Sequence, residues 1–490
     1  VTVPAGQAEV AALLRGLAGR DPVETHISAV FVGDDTVWKL KKAVRLSFVD
    51  FTTLAERERT ARRELELNAP HAPGLYRDVV AVVRGAAGTL ALGGEGAVVD
   101  WVVRMGRVPA GDFLDEVAAR GGLDGGLQDA LGDAVAAMHA AIAPVDCDHV
   151  AALERVVEGN ARAAREAGVE SAQVERWHAG ARTLVAGLAG WLRRRAADGF
   201  VRRAHGDLHL GNLCLWRGEV VPFDALEFDE ELATIDTGYD LAFLLMDLDV
   251  RVGRGAANRV MNRYLARTGD WGLVAGMRLF LSLRAMVRAH VEASRGRGDE
   301  SAAYLARALE YQAAPAAQVV AVGGLPGTGK STLARALAPG LGAAPGAVVL
   351  RSDEIRKRRH GAAPEVRLGA EAYAPAASAA VFAELFAAAR TMAASGQAVV
   401  ADATFMDAGH RAGIAAAAGD LPFLGVWLQA PLDVLERRVA GRVGDASDAD
   451  VAVLRRAAAH DPGAGGWLAV DATDACGALG AVRAALDSAA

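Results

Sequence analysis

Cysteine is nearly missing from this 490-residue chain: Cys147, Cys214 and Cys476 stand far apart. That excludes a disulfide framework and a thiolate metal centre, and it fits reduced thiols in a cytosolic protein. No apolar run approaches the ~18 residues needed to cross a bilayer. The first residues lack the basic region, apolar block and small-residue cleavage site of a secretory signal. A cytoplasmic protein with no membrane partner is expected. Positive charge is not in excess either, with 53 Lys and Arg against 60 Asp and Glu and a net charge of −7. Nothing in that balance points to nucleic acid. The local basic run Arg356-Lys357-Arg358-Arg359 reads as a solvated helix face, and so does Arg193-Arg194-Arg195. There is no internal repeat.

What is present suits a globular protein of several domains. Hydrophobic residues make up 52% and charged residues 23%, which is not the balance of a disordered chain. A length of 490 residues exceeds one ordinary core, so two or three domains are expected.

The most informative stretch is His205-Gly206-Asp207-Leu208-His209-Leu210-Gly211-Asn212, with Asp224 following at the end of Val-Pro-Phe-Asp. Phosphoryl transfer needs a carboxylate to orient and deprotonate an acceptor hydroxyl, and amide and carboxylate oxygens to hold Mg²⁺ on the triphosphate. The loop resembles the catalytic loop of the aminoglycoside phosphotransferase and choline kinase families. The resemblance implies Asp207 as base, Asn212 and Asp224 as metal ligands and His205 as a brace. Further on, Asp236-Thr237-Gly238-Tyr239-Asp240-Leu241-Ala242 stands where these families usually show Asp-Pro-x-x-Asp-Leu-Ala. By resemblance Asp240 supports the catalytic loop without reacting.

Upstream, Ile27–Val32 and Thr36–Lys41 read as strands joined by Gly33-Asp34-Asp35, with Val37, Lys39 and Lys41 on one face. A kinase-like fold places a lysine two residues after a small apolar residue that touches adenine. Val37-Trp38-Lys39 has that spacing, so Lys39 is the first choice and Lys41 the second; the alternative is an edge strand with solubilising lysines. A helix from about Leu54 to Asn68 offers Glu64, ahead of Glu66, as the lysine's partner. Strands follow near Val79–Val83 and Ala97–Arg104, then a helix over 127–142 containing His139, continuous helix over 150–197, and helices over 256–312.

After a linker over 313–318, the strand Val319–Val322 runs into Gly323-Gly324-Leu325-Pro326-Gly327-Thr328-Gly329-Lys330-Ser331-Thr332. This is a full Gly-x-x-x-x-Gly-Lys-Ser phosphate loop between strand and helix. Gly324, Gly327, Thr328, Gly329 and Thr332 form the cradle, Lys330 neutralises phosphate oxygens and Ser331 reaches Mg²⁺. Asp353 lies just past a second strand, where P-loop kinases keep the carboxylate that addresses the acceptor hydroxyl. Asp402 ends a third strand, close to the metal-supporting carboxylate of that fold. The helix after Phe423–Leu428 carries Arg438, and with Arg442 it resembles the lid of the gluconate kinase, polynucleotide kinase and chloramphenicol phosphotransferase branch.

The whole chain, in this order of halves, resembles bacterial proteins described as fused aminoglycoside phosphotransferase and ATP-binding kinase domains. Thr25-His26-Ile27-Ser28 and Asp224-Ala225-Leu226-Glu227-Phe228 also suit that group. The expectation is an α/β protein of two parts. The first, 1–312, is a two-lobed kinase-like domain with lobes of about 1–104 and 105–312; the second, 319–490, is a P-loop parallel-sheet domain. Both would use ATP and Mg²⁺ to phosphorylate hydroxyl groups of small molecules. One alternative is a regulatory protein with a single catalytic half. Another, a protein kinase in the first half, is disfavoured because no Ala-Pro-Glu anchor follows Asp224.

Overall fold

The computed structural model describes residues 2–46, 49–441 and 446–489. The chain is α/β and divides into two compact units that interleave along the sequence. One contains Val1–Ala130, Ala137–Cys147 and Arg195–Leu244; the other contains Leu131–Ala136, Asp148–Arg194 and Leu245–Ala490. The expected parts 1–312 and 319–490 are therefore not the units into which the chain packs, and the segment 313–318 lies inside the second.

In the first unit, six strands form an antiparallel sheet in the order Val23–Glu24, Ser28–Val32, Thr36–Lys41, Ala97–Gly106, Tyr76–Arg84 and Leu90–Leu92. Alternation along Thr36–Lys41 sends Leu40 and Trp38 into one apolar cluster, with Phe31 and Val102, and Val37 into another, with Ala61, Val103 and Met105. Lys39 and Lys41 share the Val37 face. The helix Leu54–Asn68 begins at Thr53, whose side chain accepts from the Glu56 N–H. It buries Arg57, Thr60, Ala61, Glu64 and Asn68, spaced three to four apart. That stripe decides between the two glutamates. Glu64 is fully buried while the Glu66 side chain is 69% exposed.

Arg195 is not a solvated helix end. It is buried and makes a two-pronged ion pair with Asp236, at 2.6 and 2.9 Å. Asp236 in turn accepts from the Gly238 N–H at 2.7 Å, which organises the turn where the family pattern has proline. The expected continuous helix over 150–197 is two helices, His149–Glu166 and Ser171–Ala197. Gly168, at φ 76°, lies between them in the left-handed region that ends helices.

In the second unit, five parallel strands run in the order Val348–Arg351, Val399–Asp402, Val319–Gly324, Phe423–Gln429 and Leu468–Asp471. Their near-continuous apolar runs fit a sheet covered on both faces. The edge strand Val348–Arg351 is bordered by the helix Arg254–Thr268. Asn262 accepts from the Val349 N–H at 2.7 Å, and the Asn258 and Asn262 amides donate to the Ala347 carbonyl. One helix, Pro375–Ala394, is long and apolar enough to cross a membrane by length and composition. Here it buries Val381, Phe382, Leu385, Ala389 and Met392, as a core helix does.

Arg356-Lys357-Arg358-Arg359 departs from the solvated face expected of it. The helix Ser352–Arg359 turns Arg356 and Lys357 inward, 6% and 1% exposed, and leaves Arg359 outside.

Candidate functional site

The first unit gathers its candidate residues around two lysines. Lys39 Nζ lies 2.8 Å from Glu64 Oε1 and also pairs with Asp224. Lys41 Nζ lies 2.6 Å from the other Glu64 oxygen and pairs with Glu227. The two lysines differ in position. Lys39 faces Asp224, whose side chain is 39% exposed, whereas Lys41 is enclosed between Glu64 and Glu227.

Burial works against every charge in this cluster, and the partners decide the outcome. Burial alone would lower the Lys39 ammonium, but the Asp224 and Glu64 carboxylates hold it well above its ordinary value. Burial would raise Glu64, yet Lys39 and Lys41 hold it down at about 2. Glu227 goes the other way: burial pushes its carboxyl up, and Lys41 only partly offsets this.

The loop 205–212 is braced from below. Asp240 accepts from the His205 N–H at 3.1 Å and the Gly206 N–H at 2.9 Å, and lies 3.1 Å from His139. The His205 ring meets the Phe223 carbonyl at 2.9 Å and accepts from the Asp207 N–H at 3.3 Å. Burial lowers the pKa of that ring against the pull of Asp240 and Asp207, leaving a neutral ring suited to a bracing role. Asn212 donates to the Asp207 carbonyl at 2.9 Å and to its carboxylate at 3.0 Å, which aims the two side chains together. Asp224 occupies the left-handed region at φ 59°, a conformation that surroundings must impose on a residue with a Cβ. They do so by two bonds: the Asp224 N–H donates to the Tyr76 hydroxyl at 3.1 Å, and the Ala225 N–H to Asn68 at 2.9 Å.

Tyr76, Asn68 and the Lys41 partnership of Glu227 were not anticipated from the sequence. A signal for the last existed: two lysines on one strand face, both directed at a buried surface, require a second carboxylate.

In the second unit the phosphate loop joins the strand Val319–Gly324 to the helix Lys330–Leu337. Gly324 and Gly327 have φ of 137° and 88°. A Cβ on Gly324 would come within 2.6 Å of the Leu428 carbonyl oxygen, and one on Gly327 within 2.9 Å of that of Leu435. Only glycine fits either place. Thr328 closes the turn by donating to the Leu325 carbonyl at 2.8 Å, and Lys330 donates to the carbonyls of Gly324 and Leu325 at 3.0 and 2.9 Å. Ser331 donates to Asp402 at 2.6 Å, and Arg351 donates to both Asp402 and Ser331, at 3.1 and 3.0 Å.

Gly327, Lys330, Ser331 and Asp402 line one face of a cavity of 730 Å³. Gly329, Thr332, Asp353 and Arg438 also line it, as do Arg356, Tyr373 and Phe382. Asp353 is half-buried. Burial pushes its carboxyl up, countered by Arg351 and reinforced by Asp402, which suits a group that must accept a proton. Arg438 donates to the carbonyls of Ala472 and Thr473 at 2.9 and 2.8 Å and lies 3.4 Å from that of Gly327. Arg442 lies outside the described residues.

Among the described residues no group of three or more His, Cys, Asp or Glu side chains could hold a metal alone. The donors fit Mg²⁺ in its usual setting, where one or two protein oxygens complete a shell supplied by phosphate and water. Asn212 and Asp224 provide such oxygens in the first unit, and Ser331 and Asp402 in the second.

Residues 319–460 match the family model described as an AAA domain. Among solved structures, a choline kinase from Cryptosporidium parvum is 9% identical. It covers 59% of this chain and 86% of its own, with a TM-score of 0.40. A gluconokinase from Sinorhizobium meliloti is 21% identical and covers 35% of this chain and 93% of its own, with a TM-score of 0.25. Uncharacterized protein Rv2004c of Mycobacterium tuberculosis is 30% identical over 460 residues, which is 90% of each chain. With that extent of likeness, this chain belongs to the family of the mycobacterial protein.

Proposed function

We propose that this protein is a Mg²⁺- and ATP-dependent phosphotransferase with two separate active sites, one in the kinase-like part and one in the P-loop part, each acting on a hydroxyl of a small molecule. The observation that carries the reading is the duplication of a full set of groups. Lys39, Asp207, Asn212 and Asp224 converge in one unit, and Lys330, Ser331, Asp353 and Asp402 in the other.

In the first site Lys39, released from Asp224, binds phosphate oxygens while Glu64 keeps it in place. Asp207, aimed by Asn212, accepts the acceptor's hydroxyl proton. The acceptor oxygen forms a bond to the γ-phosphorus, the bond to the β-phosphate oxygen breaks, and ADP leaves. In the second site Lys330 and the loop N–H groups hold the triphosphate, and Asp353 takes the acceptor's proton. Mg²⁺, when bound, neutralises charge on the transferring phosphoryl group. Both sites act mainly by positioning and charge stabilisation. The parts 1–312 and 319–490 describe which residues serve which chemistry, and the cytoplasm is the proposed location.

The acceptors are sugars, aminoglycosides or other hydroxylated metabolites, since a fold carries the chemistry and not the acceptor. The test is ATP turnover against a broad panel of hydroxylated small molecules, using the intact chain, Asp207→Asn, and Lys330→Ala. Two acceptor sets, each lost in one variant only, are expected. An acceptor whose turnover survives in both variants would refute the assignment.

A further inference from the structure

His209 stands between Asp207 and the short turn Leu210–Asn212 that presents Asn212. Its Nδ1 accepts from the Gly211 N–H at 3.1 Å. That nitrogen therefore carries no proton, and the neutral ring keeps its proton on Nε2. The approach is close, since a Cβ on Gly211 would crowd the ring at 3.0 Å from Cε1 and 3.1 Å from Nδ1. Phe243 meets the imidazole edge-on, with centroids 5.4 Å apart and planes at 72°. With 22% of its side chain exposed, the ring takes its direction from these neighbours more than from water.

The other nitrogen, Nε2, lies 3.6 Å from Asp207 Oδ2. The same oxygen accepts from Asn212 Nδ2 at 3.0 Å. A carboxylate held by one donor can still turn about its last torsion, whose minima are broad. A second donor at the same oxygen resists that rotation. At 3.6 Å the contact is longer than a formed hydrogen bond, and catalytic hydrogen bonds commonly tighten only in the substrate complex. A histidine that merely caps the turn needs Nδ1 alone, and Ser, Asp or Asn serves as a cap more readily. One that positions Asp207 needs the Nε2–H, and the cap itself fixes the tautomer that supplies it.

Resting on the kinase reading of the first site, we infer that His209 is a positioning residue for the base: its Nε2–H, together with the Asn212 amide, holds Asp207 Oδ2 so that the acceptor's proton goes to Oδ1. In the transfer the acceptor's O–H bond breaks and its oxygen bonds to the γ-phosphorus. The bond from that phosphorus to the bridging oxygen breaks, and ADP leaves. The histidine keeps its proton throughout.

Two substitutions separate the tasks of the ring. His209→Asn keeps an acceptor near the place of Nδ1 and has nothing at Nε2, whereas His209→Gln keeps an amide N–H near Nε2 and gives up Nδ1. ATP hydrolysis, with water as the acceptor, is followed in the intact chain carrying Lys330→Ala to silence the P-loop site. The kcat of His209→Gln should exceed that of His209→Asn by ~10-fold or more, as misdirection of a catalytic group costs. The Kd for a non-hydrolysable ATP analogue should be the same in both. Equal rates, or the reverse order that a cap requires, overturn the inference.

Proton–nitrogen correlation spectra of the imidazole rings answer without turnover. The resonances missing from both variants belong to His209. They should show a proton on Nε2 and none on Nδ1, and should shift in Asp207→Ala. A proton on Nδ1, or a ring indifferent to Asp207→Ala, overturns the inference. Hydrolysis absent from the Lys330→Ala chain, or unaltered by Asp207→Asn, would count against the kinase reading of the first site and leave these spectra to decide on His209.

Discussion

Lys41 and Glu227, 186 positions apart in the sequence, form an ion pair in which both side chains are at least 95% buried. It lies beside the Lys39–Glu64 pair and shares Glu64 with it. The two lysines are consequently predicted to respond differently to removal. Lys39→Ala should raise the KM for ATP in the first site at least ~10-fold and cost less stability than Lys41→Ala, because Lys41 still pairs with Glu64. Lys41→Ala should leave Glu64 and Glu227 without a common cation, costing about 3–5 kcal/mol of stability. Thermal melts and steady-state kinetics on both variants check the split. An unchanged melting temperature in Lys41→Ala would move that lysine from support to nucleotide binding.

Acid should expose the same cluster. Glu64 is held at about 2 in the folded chain, below its ordinary 4.5. It therefore adds stability that is complete above its unfolded value and drains away as the pH falls from about 4.5 towards 2, on the order of 3 kcal/mol in all. Glu227, raised by burial first, acts in the opposite sense and opposes folding above its unfolded value. Denaturant midpoints between pH 2 and 6 should fall less steeply in Glu64→Gln than in the unmodified chain. Parallel curves would show that the two lysines do not govern Glu64.

Variants in the loop 205–212 and at Asp224 should separate chemistry from binding. Asp207→Asn should leave nucleotide affinity in the first site nearly intact and lower its transfer rate by at least ~10²-fold. Asp224→Ala should weaken Mg–nucleotide binding itself. Equal loss of affinity in both variants, measured by titration, would reverse these roles.

Two ATP analogues should bind per chain. Lys330→Ala combined with Ser331→Ala should leave one, because a phosphate loop encloses the triphosphate at its own helix terminus and cannot share it. Calorimetric stoichiometry gives the answer directly. A value of one, abolished in the double variant, would reduce the first site to a regulatory or structural relic.

The border of the parallel sheet gives a prediction about folding. Asn262→Ala removes the acceptor of the Val349 N–H and a donor to Ala347. An unsatisfied buried group costs ~1–3 kcal/mol, so the second unit should melt earlier. A fragment 316–490 lacks that helix altogether and should aggregate or melt lower still, since an uncovered edge strand invites pairing with other chains. A fragment as stable as the same unit in the intact chain would contradict this.

Much of both sites was legible because glycine loops and closely spaced polar residues are set by local geometry. The loop 205–212 and the run 324–332 each place their groups within one turn of chain, and Thr36–Lys41 fixes the lysine face by alternation alone. What was not legible depends on packing between distant segments. Arg356-Lys357 has the composition of a solvated face, and only the Tyr373 ring and Asp448 show why two of its cations turn inward. Arg195 was misread for the same reason, since Asp236 lies 41 residues away. Local composition reports what a residue can tolerate, and tertiary partners decide where it goes.

The interleaving of the two units has a consequence for descent. Residues 131–136 and 148–194 belong to one unit, although they are embedded in the sequence of the other. A recombination crossover at 313–318 would cut the second unit in two, separating its sheet from Asn258 and Asn262. A chain cut there would leave the edge strand Val348–Arg351 without the helix that borders it. Replacing everything after 313–318 would therefore require the newcomer's edge strand to fit Asn258 and Asn262.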